Sequence, residues 1–75
     1  MPRLPRVSGQ KVVRALQKAG FRVLRITGDH AFLVNEQTGR RTVVGVSAGT
    51  LPVGTLASVL RQAGLSADEF RGLLK

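Results

Sequence analysis

Few side chains among these 75 residues are of a type that moves protons or breaks bonds near neutral pH. There is one histidine, His30, and there is no cysteine, tyrosine or tryptophan. Thiol and phenol chemistry are therefore excluded, along with disulfides and thiolate zinc sites. One histidine cannot build a histidine-based metal site. The four carboxylates, Asp29, Glu36, Asp68 and Glu69, are scattered, with two of them in an apparent helix cap. No metal or other cofactor is expected from this set. The nine glycines stand singly at turn and helix-end positions, without a Walker loop or a GxGxxG pattern. No serine has the surroundings of a nucleophile elbow.

His30 remains. An imidazole takes or gives a proton near neutral pH, and acid–base help of that kind is worth roughly 10²–10⁴-fold in rate. RNA cleavage needs the 2′-hydroxyl deprotonated, the 5′-oxygen protonated and the phosphorane charge stabilised. One histidine can serve as base or acid, and Lys or Arg can stabilise the developing charge. RNA brings its own nucleophile, so no serine, cysteine or metal is required. DNA lacks that hydroxyl and fits a metal-free single-histidine site poorly. A histidine after a turn is also commonly a plain surface residue, so its type permits this chemistry without requiring it.

Charge narrows the partners. Twelve Lys and Arg against four acids give a formal +8, a field that attracts polyanions and speeds encounter with them. RNA, DNA, an anionic membrane surface or an acidic protein all fit, and so does a merely soluble basic domain. No apolar run approaches the roughly 18 residues of a membrane span. No apolar signal core follows Met1–Arg6, so the expectation is a cytoplasmic chain. Base stacking could come only from Phe21, Phe32 and Phe70, whose patterning favours the core for all three. The aromatic platform of an RNA recognition motif is missing.

The elements that must position these residues read as one domain over 1–75, with no room for a second core. The hydrophobic fraction of 43% suits a folded chain rather than a disordered basic tail. Residues 1–7 hold two prolines and should be extended. Ser8 can cap a helix over 9–19 whose Val12, Val13, Leu16 and Ala19 fall at helical spacing, with Gly20 ending it. Strands follow from Phe21 to Thr27, from about His30 to Asn35 and from Arg40 to Val46, joined at Gly28-Asp29 and at 36–39. Val23 and Leu24 break the alternation of the first strand, which implies a bulge or burial on both faces. After a loop at 47–50, a second helix spans roughly 53–63 and ends at Gly64. Ser66 and Glu69 form a capping box that starts a short last helix. The fold class is α+β, α-β-β-β-α, with an antiparallel meander and both helices on one sheet face. That is the layout of the double-stranded RNA-binding domain.

Several segments carry a resemblance. Val7-Ser8-Gly9-Gln10-Lys11-Val12-Val13 with Leu16 to Gly20 resembles the opening of HicA proteins, the toxins of HicAB toxin–antitoxin pairs. Arg25-Ile26-Thr27-Gly28-Asp29-His30 resembles their R-x-x-G-S-H motif, and Leu51-Pro52-Val53-Gly54-Thr55-Leu56 their L-x-x-G-T segment. Arg61-Gln62-Ala63-Gly64-Leu65-Ser66 resembles their R-Q-A-G-L-S stretch. The resemblance implies metal-independent cleavage of mRNA, a double-stranded-RNA-binding-like fold and inhibition by a HicB antitoxin. It maps the catalytic histidine onto His30. Three positions depart from the pattern: Asp29 replaces serine, Ala31 stands where a second histidine is common, and Ser47 ends a strand that often finishes in V-P-x-H. Asp29 cuts both ways, because a neighbouring carboxylate favours the charged imidazole yet repels phosphate.

Lys11, Arg14, Arg25, Arg40 and Arg41 are the expected RNA-binding set, with Arg40 and Arg41 across the hairpin from His30. A solvated basic surface accounts for each of them singly. Two other functional readings stay open on the residues: a non-catalytic basic RNA-binding module, and an interaction protein whose charge serves an acidic partner.

Overall fold

The computed structural model describes residues 4–47 and 49–74. The elements run α1 (Gly9–Lys18), β1 (Arg22–Thr27), β2 (His30–Asn35), β3 (Arg40–Gly45), α2 (Val53–Ala63) and α3 (Ala67–Leu73). Several begin or end on a local signal. Ser8 holds an extended conformation, and its Oγ accepts the Lys11 N–H at 3.3 Å, removing one orphan donor from the first turn of α1. At the other end Gly20 has φ 100, which lets the chain reverse while the Phe21 N–H bonds the Leu16 carbonyl at 2.9 Å. α3 opens on the full capping box, with Ser66 Oγ accepting from Glu69 N and Glu69 Oε1 from Ser66 N.

The strands form one antiparallel sheet in the order β1-β2-β3. Buried Asn35 organises the β2–β3 turn. Its Oδ1 accepts from the Gln37 and Thr38 N–H groups at 3.0 and 3.4 Å, while its Nδ2 donates to the Ala19 carbonyl at 3.5 Å. A buried amide satisfied at both ends carries no desolvation debt, and it ties the hairpin to the end of α1.

All three helices lie on the same side. α1 packs on β1 and β3, α2 on β3, and α3 on α1. Beneath them Ala31, Leu33, Thr42 and Val44 are buried, together with Val12, Leu16, Leu56 and Phe70, which is wholly enclosed. Thr42 donates from Oγ1 to Gln62 Oε1 at 2.8 Å, so the one hydroxyl on the covered face of β3 has a partner on α2. The opposite face is open. This is the double-stranded RNA-binding-domain layout expected from the order of elements, extended by α3.

Three boundaries shift by one residue. β3 stops at Gly45, although the Val46 N–H still bonds the Asp29 carbonyl at 2.7 Å in the same register; β1 begins at Arg22, and Ala19 is the cap of α1 rather than its last turn. Ala48 in the 47–50 loop and residues 1–3 of the extended start lie outside the described residues.

Phenylalanine 32 corrects the reading of all three aromatics as core. Phe21 and Phe70 are buried, whereas Phe32 is half-buried on the open face.

Gly9 sets the seat of α1. A Cβ there would stand 1.7 Å from the Gly45 carbonyl oxygen, whereas one at Gly54 in α2 would meet nothing within 4 Å. Gly9→Ala is therefore expected to cost about 1–3 kcal/mol by overpacking. Gly54→Ala should raise stability by up to about 1 kcal/mol, because it removes a helix-weakening glycine. Urea unfolding of the two variants beside the parent chain measures both.

Candidate active site

The tight turn between β1 and β2 builds the site. Gly28 has φ 59, and no residue other than glycine has positive φ among those described. Positive φ at the first central position followed by negative φ at Asp29 is the pattern of a type II′ hairpin turn, which calls for glycine first. The turn brings Thr27 opposite His30 on one side, and the register pairs His30 with Gly45 on the other. The Val46 N–H then bonds the Asp29 carbonyl at 2.7 Å. His30 is thus held in a central strand at the very end of the sheet, with pairing on both flanks.

Its ring also has a carboxylate neighbour. Asp29 Oδ1 lies 2.9 Å from His30 Nδ1, and both side chains are more than half exposed. A carboxylate only accepts, so the contact is favourable when Nδ1 carries the proton. Nε2 is then the nitrogen left to exchange a proton with a bound molecule. An Asp that orients a histidine through Nδ1 is a general device for presenting Nε2 as a base, or as an acid once protonated.

The expected phosphate-binding residues divide into three places. Arg25 shares the open face of the sheet with His30, and its guanidinium sits 4.8 Å from the centroid of the Phe32 ring. Lys11 lies in the first turn of α1, at the Gly45 end, while Arg14 is one turn further along. Both line a shallow groove against α3, with Val7, Lys18, Leu73 and Leu74. The register corrects the placement of Arg40 and Arg41. They pair with Asn35 and Val34, at the far end of the hairpin from His30. Arg41 still projects from the open face, whereas the Arg40 side chain lies against Gly64 at the end of α2. A long basic side chain suits that helix end, where the carbonyls carry partial negative charge.

Phe32, a possible stacking residue whose patterning favours the core, is instead on the surface beside His30. One signal was available: in a strand, residues two apart share a face, so an exposed His30 entails a side chain at 32 on the same surface. Among the described residues no group of three His, Cys, Asp or Glu side chains is arranged as metal ligands. No helix among them is long and apolar enough to cross a membrane.

A sequence model of the family described as "HicA toxin of bacterial toxin-antitoxin" matches residues 9–65, from the first residue of α1 to just beyond α2. The chain belongs to the HicA toxin family. No curated protein matches it. Membership makes it the toxin side of a toxin–antitoxin module, with an antitoxin partner in general. The three departures from the HicA pattern can now be placed. Ala31 is fully buried under the helices, Ser47 is exposed one residue past Val46, and Asp29 is the residue that touches His30. α3, which supplies the enclosed Phe70, lies beyond the matched segment.

The Asp29–His30 contact predicts a ring tautomer. In the neutral imidazole, nitrogen-15 shifts are expected to report the Nδ1–H form, and Asp29→Ala should move the population toward Nε2–H. Because both groups are exposed, the same substitution should change stability by less than about 1 kcal/mol.

Proposed function

We propose that the chain is a metal-independent endoribonuclease that cuts mRNA, with His30 as general acid or base. In this reading it acts in the cytoplasm and is silenced by a HicB-like antitoxin. The observation that carries it is the Asp29–His30 pair, which sets a carboxylate 2.9 Å from Nδ1 of the one imidazole of a +8 domain, at an exposed sheet end. Family membership supports the toxin role, and the chemistry of the residues supports RNA as the target.

The reaction asks little else of the protein. Nε2 takes the proton of the 2′-hydroxyl, the 2′-oxygen attacks phosphorus and the bond to the 5′-oxygen breaks. A proton then goes to that leaving oxygen, from the same imidazole in turn or from water. The products are a 2′,3′-cyclic phosphate and a free 5′-hydroxyl, so atoms and charge balance without an added cofactor. Arg25 on the same face and Lys11 at the same end are the cations proposed to meet the developing phosphorane charge. An antitoxin with an acidic face would find complementary charge over this surface and would exclude RNA from it.

Expressing the parent chain and His30→Ala in bacteria, and incubating each purified protein with RNA, tests this. The parent is expected to arrest growth and to cut RNA equally well with or without EDTA. His30→Ala should lose roughly 10²–10⁴-fold in cleavage rate. Equal cleavage by the two proteins would remove His30 from the chemistry. Salt-sensitive RNA binding without product, in the parent itself, would make the chain a non-catalytic RNA-binding module.

A further inference from the structure

We propose that the Arg25–Phe32 stack on the open sheet face is a subsite for one unpaired RNA base beside the scissile phosphodiester at His30. The inference rests on the ribonuclease reading and deepens it, since it names single-stranded RNA as the substrate class.

Three observations carry it. The first is the bulge in β1. Val23 pairs with Leu33 and packs against the core, and the register then shifts so that Arg25 pairs with Phe32. Strict alternation would have put Arg25 on the same side as Val23, under the helices. The extra residue, Leu24, returns Arg25 to the open face, directly across from the only aromatic ring there among the described residues. The second is the surface this creates. Leu24 and Val43 are 47% and 40% exposed, and with Arg25, Phe32 and Arg41 they line a hollow of about 410 Å³. The open face of a soluble antiparallel sheet normally carries polar side chains, so apolar ones flanked by arginines ask for a ligand.

The third is spacing. His30 and Phe32 are two residues apart on β2 and share the open face, which sets them about 6.8 Å apart along the strand. One nucleotide step along an extended strand covers a similar reach. A base seated on the Arg25 guanidinium, backed by the Phe32 ring, therefore places its neighbouring phosphodiester over His30.

The chemistry of the hollow selects the ligand. Guanidinium planes and aromatic rings are the surfaces on which unstacked RNA bases lie, and the bases of a duplex are not free to do so. Arg25 and Arg41 add positive charge for the flanking phosphates. An antitoxin covering this side would bury about 800 Å², whereas the apolar hollow is a few side chains wide, the scale of one base.

Fluorescence anisotropy tests the subsite in the His30→Ala background, so that RNA is bound but not consumed. The probes are a short single-stranded RNA and the same sugar–phosphate chain without bases. Phe32→Leu keeps apolar bulk without a π-face, and Arg25→Lys keeps the charge without the plane. Each is expected to weaken binding of the intact RNA roughly tenfold and to leave the base-free chain unaffected. The salt dependence of Arg25→Lys should match that of its parent. Thermal melts confirm that both variants fold. Equal affinity of the parent for the two probes would overturn the proposal. So would parental affinity for intact RNA in both variants, which would leave the face to a protein partner. Binding that behaves as expected, beside a wild-type chain that cuts nothing, would sink the ribonuclease reading alone.

Discussion

The start of α1 reaches the end of β3 only because position 9 has no side chain, since a Cβ there would stand 1.7 Å from the Gly45 carbonyl oxygen. Gly45 is the register partner of His30, so this contact fixes the helix against the strand that flanks the candidate catalytic residue. The chain before α1 is pinned at the same corner. The Leu51 N–H bonds the Val7 carbonyl at 2.9 Å, and Ser8 bridges to Thr50. The segment leading into α2, the N-terminus of α1 and the end of β3 therefore meet behind His30. In a domain of 75 residues the buried apolar area is modest, and fixing the site at such a junction draws on most of the core at once.

Placing every helix on one side of the sheet has a second consequence. The covered face must satisfy the polar groups it buries, and it does so through Thr42 with Gln62 and Asn35 with Ala19. The other face is free of packing duties. Phe32, Val43 and Leu24 are not needed there to hold helices, and the bulge at Leu24 adds an arginine opposite the ring. Where a fold has surface to spare, departures from the polar-out pattern are informative. Here they cluster on the surface that also carries His30.

Much of the fold was legible because its boundaries are local. Ser8, Gly20, Gly64 and the Ser66–Glu69 pair act within a few residues of themselves, so their types declare where helices start and stop. Gly28-Asp29 declared its turn in the same way. Features that depend on phase or distance were not legible to the same degree. The adjacency of Val23 and Leu24 announced a bulge, but only the register shows that the bulge turns Arg25 toward Phe32. Arg40 and Arg41 were expected near His30 because they lie across the hairpin. An antiparallel pairing that closes at 36–39 instead sends them to its opposite end. His30 was found by elimination, and elimination cannot show that its neighbour in sequence is also the group that orients its ring.

That neighbour and the buried Ala31 bear differently on the chemistry. Position 31 faces the helices with no exposure at all, so a second histidine there would point away from the surface that carries His30. Its replacement by alanine removes nothing from the exposed site. Asp29, in contrast, acts on the site directly, and its two effects differ in range. Repulsion of phosphate by one exposed carboxylate fades over about 8–10 Å at ordinary salt, so it is felt at His30 but little beyond it, within a domain of overall charge +8. The contact of the carboxylate with Nδ1 at 2.9 Å acts at short range and favours a proton on that nitrogen, which leaves Nε2 for the substrate. Arg25 on the same face supplies positive charge that offsets the carboxylate's repulsion of a phosphate bound there.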